Sequence, residues 1–132
     1  CSSPAAYSSL VNGPHTFQVR ATDAVGNTDS TPASRTWTVD TIAPTGVAIT
    51  APTNNASVTG QVTISASASD NVGIASVGFY VDGQLLATDT SAPYSTTWNT
   101  NKVSKTSHTL YAIAADAAGN TTQSATVTVT VR

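Results

Sequence analysis

The side chains able to do chemistry are sparse: two histidines, one cysteine and seven acidic residues among 132. No nucleophile elbow, phosphate-cradling glycine loop or zinc-ligand spacing is formed among them. With so much serine a Ser/His/Asp set can always be drawn, yet nothing in the spacing singles one out. His15 and His108 occupy equivalent places in two copies of one segment, which is how structural residues behave. The chain is therefore read as non-enzymatic.

Oxygen-rich turns offer a second chemistry. Asp70 and Asn71 in one turn, and Asp116 and Asn120 in another, carry the hard oxygen donors that Ca2+ gathers six to eight at a time. No other cofactor is expected. The competing reading is turn chemistry, in which the carboxylate of Asp-x-x-Gly-Asn accepts backbone N–H bonds and the glycine supplies the reversal. The first copy repeats that turn without a visible counterpart of Asp70.

A third candidate is a surface strip. With Val77, Phe79 and Val81 facing inward, Tyr80 faces out; with Leu110, Ala112 and Ala114 inward, Tyr111 and Ile113 face out. If their strands are neighbours, the three form one strip able to stack on sugar rings or to meet a protein. The plainer alternative is scattered β-favouring residues, or packing on an adjacent repeat.

Cys1 has three readings: the lipidated first residue of a bacterial lipoprotein, half of a disulfide whose partner lies outside this chain, or a free thiol. The residues after it read as strand rather than tether, which favours the disulfide. A chain that opens on Cys1 without Met is expected to be a processed or excised piece.

The elements that must position these groups are strands. Charged residues make up only 9% and the net charge is −2, which leaves no basic cluster to displace counterions from nucleic acid or an anionic membrane. No apolar run approaches the ~18 residues of a membrane span. Thr and Val favour pleated, half-buried strands. From His15 to Thr22, Phe17, Val19 and Ala21 alternate with polar residues, and Trp37 and Val39 continue a strand over 34–39. Val62 to Ser69, Ile74 to Val81, Leu85 to Thr88, Tyr94 to Trp98, Leu110 to Ala114 and Ala125 to Val131 repeat the two-residue period. Asp82-Gly83 is a hairpin signal, Asn12-Gly13-Pro14 and Ala92-Pro93 mark turns, and one further strand is expected before Asn12. The fold class is all-β, with about seven short strands after residue 45 spaced as in an immunoglobulin-like Greek-key sandwich.

The segment His15 to Thr28 returns 93 residues later as His108 to Thr121. A period of that size means tandem modules. Residues 1–45 are read as the C-terminal part of a truncated module, about three strands plus a linker stiffened by Pro44, and 46–132 as a complete one. Most of the first module is expected to fall outside the chain. Its apolar face, with Phe17 and Trp37, then needs a cover, and another copy or a neighbouring module supplying strands is the expected partner, with filament-like packing as one outcome.

In these motifs the chain resembles the bacterial immunoglobulin-like tandem repeats of large secreted and cell-surface proteins. Ser69-Asp70-Asn71-Val72-Gly73, Val81-Asp82-Gly83, Ala92-Pro93-Tyr94, Trp98, His108-Thr109-Leu110 and Asp116-Ala117-Ala118-Gly119-Asn120 carry the resemblance over 46–132. Cys1, Ser3-Pro4, Leu10, Gly13, His15-Thr16-Phe17, Asp23-Ala24-Val25-Gly26-Asn27, Trp37 and Asp40 carry it over 1–45. The resemblance implies a disulfide for Cys1, an extracellular or cell-surface location, and a spacer, structural or adhesive role. The alternative it implies is an accessory carbohydrate-binding module of a secreted polysaccharide-degrading enzyme, with Tyr80 and Tyr111 as platform. Asn55-Ala56-Ser57 and Asn120-Thr121-Thr122 match the glycosylation pattern, but in a bacterial protein that pattern normally means nothing, and Asn120 is better explained by its turn.

Overall fold

The computed structural model describes residues 6–132. Cys1 lies outside the described residues, and so do the disulfide, lipid and free-thiol readings attached to it. The chain divides into two compact units, Cys1–Thr41 and Ile42–Arg132.

In the first unit, strands β1 (Gly13–Val19) and β2 (Ala33–Val39) pair antiparallel, with His15 opposite Trp37 and Phe17 opposite Arg35. Residues 6–12 carry no strand, so the strand expected before Asn12 is not found among the described residues. Tyr7 instead meets Phe17 edge-on at 5.7 Å between ring centroids. Asn12 Oδ1 accepts hydrogen bonds from the Thr41 N–H and Oγ1, at 2.8 and 2.9 Å, and ties the two ends of the unit together. β1 stops at Val19, short of the Thr22 that alternation suggested, and Val19 is 54% exposed. Periodicity marks a strand only where a facing layer rewards it, and the described residues of this unit supply no second sheet.

The second unit is a two-sheet sandwich. Its strands are β3 (Thr45–Ala51), β4 (Ala56–Val58), β5 (Gln61–Ser69), β6 (Ile74–Val81), β7 (Gln84–Asp89), β8 (Ser95–Asn99), β9 (Ser107–Asp116), β10 (Thr121–Gln123) and β11 (Val127–Val131), with one helical turn at Thr100–Lys102. One sheet has the order β3-β5-β8; the other runs β4-β11-β9-β6-β7, with β10 also paired to β9. β4 lies parallel to β11, and the remaining pairs are antiparallel. Splitting of the first and last strands between β3/β4 and β10/β11 reconciles this set with the expected seven-strand pattern.

Strand alternation fills the space between the sheets. Ile64 and Trp98 from one layer meet Val77, Phe79, Leu110, Ala112, Ala114, Val129 and Val131 from the other. These side chains leave water almost entirely, so their burial supplies the main stabilisation of the unit. The break in the last strand has a specific repair at Ser124. Its N–H donates to the Ala112 carbonyl at 2.8 Å, while its Oγ accepts from the Ala112 N–H at 3.0 Å. A buried hydroxyl thus stands in for a ladder carbonyl.

Candidate functional site

Three places collect the residues singled out above. The first is one end of the second unit. The β5–β6 turn holds Asp70, whose Oδ2 accepts from the N–H groups of Val72 and Gly73 at 2.9 and 3.0 Å. The β9–β10 turn holds Asp116, whose Oδ1 accepts from the Asn120 N–H at 2.9 Å and whose Oδ2 accepts from Asn120 Nδ2 at 2.7 Å. Burial pushes the Asp116 carboxyl upward, but the bonds from Asn120, Ala118 and Gly119 outweigh it and hold the group below its ordinary range. The two carboxylates bring oxygens within 4.8 Å of each other, so the structure joins the two turns, as a shared sandwich end requires. Asp70 Oδ1 is buried without a hydrogen-bond partner, the kind of atom that a cation satisfies. The other three carboxylate oxygens are already engaged in building their turns. Asn71 sits exposed beside Asp70.

Asp23 builds the corresponding turn of the first unit in the same way. In the first unit its carboxylate accepts from Val25 N–H, Asn27 N–H and Asn27 Nδ2 at 3.0, 2.9 and 2.8 Å. The Asn27 side chain, more than any other group, lowers its pKa. The same Asp-to-Asn clasp closes both copies of the repeat.

The second place is the outer face of β6, β7 and β9. Tyr80 lies directly opposite Tyr111, and their rings are parallel within 5° at 4.8 Å between centroids. Rings that close cannot lie side by side in one plane; they are offset-stacked, each covering one face of the other. A bulge that shifts the β6–β7 register after Phe79 sets Leu85 opposite Tyr80. Gly78 lies beneath both: a Cβ there would come within 3.2 Å of Tyr80 Cε2 and 3.4 Å of Leu85 Cδ1. Ile113 pairs with Gly78. The strip expected from alternation exists, but Tyr80, Tyr111 and Ile113 are half-buried, and the tyrosines do not present a flat platform.

In the first unit, Tyr7, Leu10, His15, Thr16, Phe17, Arg35 and Trp37 surround an open apolar hollow. Phe17 and Trp37 are half-buried there. His15 stacks on Trp37 at 5.8 Å and 26°, and its Nε2–H donates to the Val11 carbonyl at 2.7 Å.

A fourth place was not legible in the sequence as a site. His108, 6% exposed, sits at the start of β9 between two acceptors. Its Nδ1 lies 2.6 Å from Asp82 Oδ2 and its Nε2 lies 2.9 Å from the Ser104 carbonyl. Trp98 meets the ring edge-on at 5.4 Å. Asp82 holds a left-handed φ of 50° at the β6–β7 hairpin, and its Oδ1 also accepts from Thr109 N–H at 2.8 Å. Burial alone would raise the Asp82 pKa, but Thr109 and His108 together lower it. The bond to the Ser104 carbonyl, followed by the bond to Asp82, raises the pKa of His108 against the opposing effect of burial. Asp82 reads locally as a turn residue only; its partner is 26 positions away, and no local signal couples them.

The bacterial Ig domain model matches residues 44–112. Among curated proteins none matches this chain by sequence. In three dimensions the chain is similar to the fibronectin(III)-like modules of Clostridium thermocellum CbhA, with 25% identity and a TM-score of 0.59, over 64% of this chain and 93% of that one. It is also similar in fold to the endo-beta-1,4-mannanase from Thermotoga petrophila, with 13% identity and a TM-score of 0.57, over 70% of this chain and 20% of the mannanase. Domains of the bacterial Ig and fibronectin(III)-like kinds are generally non-catalytic modules. With the sandwich, its strand order and a match over more than half its length in agreement, the chain belongs to the bacterial Ig domain family.

Proposed function

We propose that this chain is a non-catalytic spacer or adhesive segment of a secreted or surface-anchored bacterial protein, built from tandem Ig-like modules. The observation that supports this reading most is the repetition of one hairpin in both units, its first strand repeating after 93 residues and the partner strand after 92, with the same Asp-to-Asn clasp. A repeated scaffold without a repeated reactive group is what a spacer needs. No helix among the described residues is long and apolar enough to cross a membrane. The hollow around Phe17 and Trp37 supports a further part of the reading, that strands from another copy or a neighbouring module cover the first unit. Light scattering of the purified chain together with hydrogen exchange tests this: concentration-dependent assembly that protects β1 and β2 is expected. A monomer with β1 and β2 already protected would sink the assembly part.

The carbohydrate-binding alternative makes Tyr80 and Tyr111 a sugar platform. Their mutual stacking argues against it, because a ring face spent on a neighbouring ring is withheld from a sugar. A glycan array separates the readings: binding that is lost in Tyr80→Ala and Tyr111→Ala supports the alternative, and absence of binding supports the spacer.

Calcium at the Asp70/Asp116 end is a second, separate proposal, favoured by the orphaned Asp70 Oδ1. Melting with calcium and with a chelator tests it. A rise in Tm that depends on Asp70 supports a bound ion, and identical curves return the two turns to backbone chemistry alone.

A further inference from the structure

His108 is one of only two histidines in the chain, and both of its ring nitrogens face oxygen acceptors at hydrogen-bond distance. A neutral imidazole carries a single N–H. Whichever tautomer formed, one bare nitrogen lone pair would point at an oxygen lone pair, either the Asp82 carboxylate at 2.6 Å or the Ser104 carbonyl at 2.9 Å. The Ser104 hydroxyl offers a weaker escape, since at 3.4 Å it lies farther from Nε2 than the carbonyl does. Only the imidazolium, a donor at both nitrogens, satisfies the two short contacts together.

We propose that His108 is a buried imidazolium that latches the β6–β7 hairpin to the start of β9, and that loss of its proton loosens this latch. The ring joins three stretches of chain: the hairpin through Asp82, the 103–106 connection through the Ser104 carbonyl, and β9 itself. Trp98 of β8 and Val129 of β11, which also face the ring, bring no charge. Asp82 is the titratable group that touches the ring among the described residues, while Lys102 and Lys105 on the neighbouring connection are exposed. Asp82 retains its bonds from Thr109 N–H and Oγ1 after deprotonation of the ring, so the hairpin is slackened rather than freed.

The first unit isolates the role of the carboxylate. His15 repeats the Nε2–H bond to the carbonyl four residues upstream, as His108 does to Ser104, but its other face stacks on Trp37. His15 is therefore an internal reference carrying one half of the latch.

The direction of the pH effect follows from the pair. Stability contributed by His108 is fully present below the pKa of an unfolded histidine, about 6.5, and is lost as pH rises through the higher folded value. Stability contributed by Asp82 is present above the pKa of an unfolded aspartate, about 3.9, and is lost as pH falls through the lower folded value. The latch is strongest between these two limits.

Histidine-selective NMR titration of the full chain tests the proposal directly. The expected result is that His108 shows the two-N–H imidazolium signature at neutral pH and loses its proton above the ordinary histidine value of about 6.5. Asp82→Asn, which keeps an oxygen for Thr109, should bring the His108 transition down from its wild-type position and flatten the fall in Tm between pH 6 and 9. Ser104→Ala, which removes only the hydroxyl, should leave the His108 titration in place. A neutral His108 ring at pH 6, or an Asp82→Asn chain with an unchanged His108 titration, would overturn the latch. The wild-type titration decides the question even if a variant fails to fold.

Discussion

His15 lies opposite Trp37 and His108 opposite Val129, so the first strand of the hairpin repeats after 93 residues and the partner strand after 92. One step inward the correspondence holds again, with Phe17 opposite Arg35 and Leu110 opposite Val127. The repeat is thus a repeat of pairing and not only of residue types. What differs is the surroundings: Leu110 and Val129 are sealed in the core of the second unit, whereas Phe17 and Trp37 border an open hollow.

Matched positions should therefore respond differently to truncation. Leu110→Ala should cost the second unit about 2–5 kcal/mol, the usual range for emptying a fully buried leucine site. Phe17→Ala should leave that unit's transition within about 0.5 kcal/mol. Urea unfolding followed through β9 amide signals measures both, and equal losses would contradict the difference in burial.

Ser124→Ala should destabilise the second unit by about 1–3 kcal/mol, because the Ala112 N–H would be left buried without its acceptor. Faster exchange of the Ala112 amide should accompany the loss. An unchanged exchange rate would mean that another acceptor takes over.

Gly78→Ala should cost little stability yet break the tyrosine stack. The backbone at Gly78 does not require glycine, but a methyl group there crowds the Tyr80 ring edge and Leu85. Near-ultraviolet circular dichroism should lose tyrosine intensity while the far-ultraviolet strand signal persists. A preserved tyrosine band would show that the ring tolerates the methyl group in place.

Acid should loosen the β9–β10 turn. Because the Asp116 pKa is lowered in the folded chain, its clasp on Asn120 is present above the pKa of an unfolded aspartate and is lost as pH falls through the folded value. Asp116→Asn should reduce Tm at pH 6 and make the acid limb of the Tm curve shallower. Parallel acid limbs in wild type and variant would show that this carboxylate is not linked to folding.

The sequence by itself determined what is local. The two-residue period located the main strands, because a strand with one buried face must alternate. Asp82-Gly83 and the two Asp-x-x-Gly-Asn segments identified their hairpins, because such turns need those residues wherever they occur. The inward faces of β6 and β9 followed directly, and with them the outward placing of Tyr80, Tyr111 and Ile113.

Only the tertiary structure decided how distant segments meet. A three-residue strand such as β4 is too short to show a period, and its parallel pairing with β11 depends on chain more than 70 residues away. The interruption begins at Ser124, just before the alternating run that starts at Ala125, and a hydroxyl repair leaves no trace in that pattern. The stacking of Tyr80 on Tyr111 depends on which strands are neighbours and on the bare backbone of Gly78 beneath Tyr80. The His108–Asp82 pair is the clearest case. Each residue has a sufficient local explanation, one as a strand start and the other as a turn. Their shared chemistry arises because folding lays the β6–β7 hairpin across β9 and closes water out from around the ring.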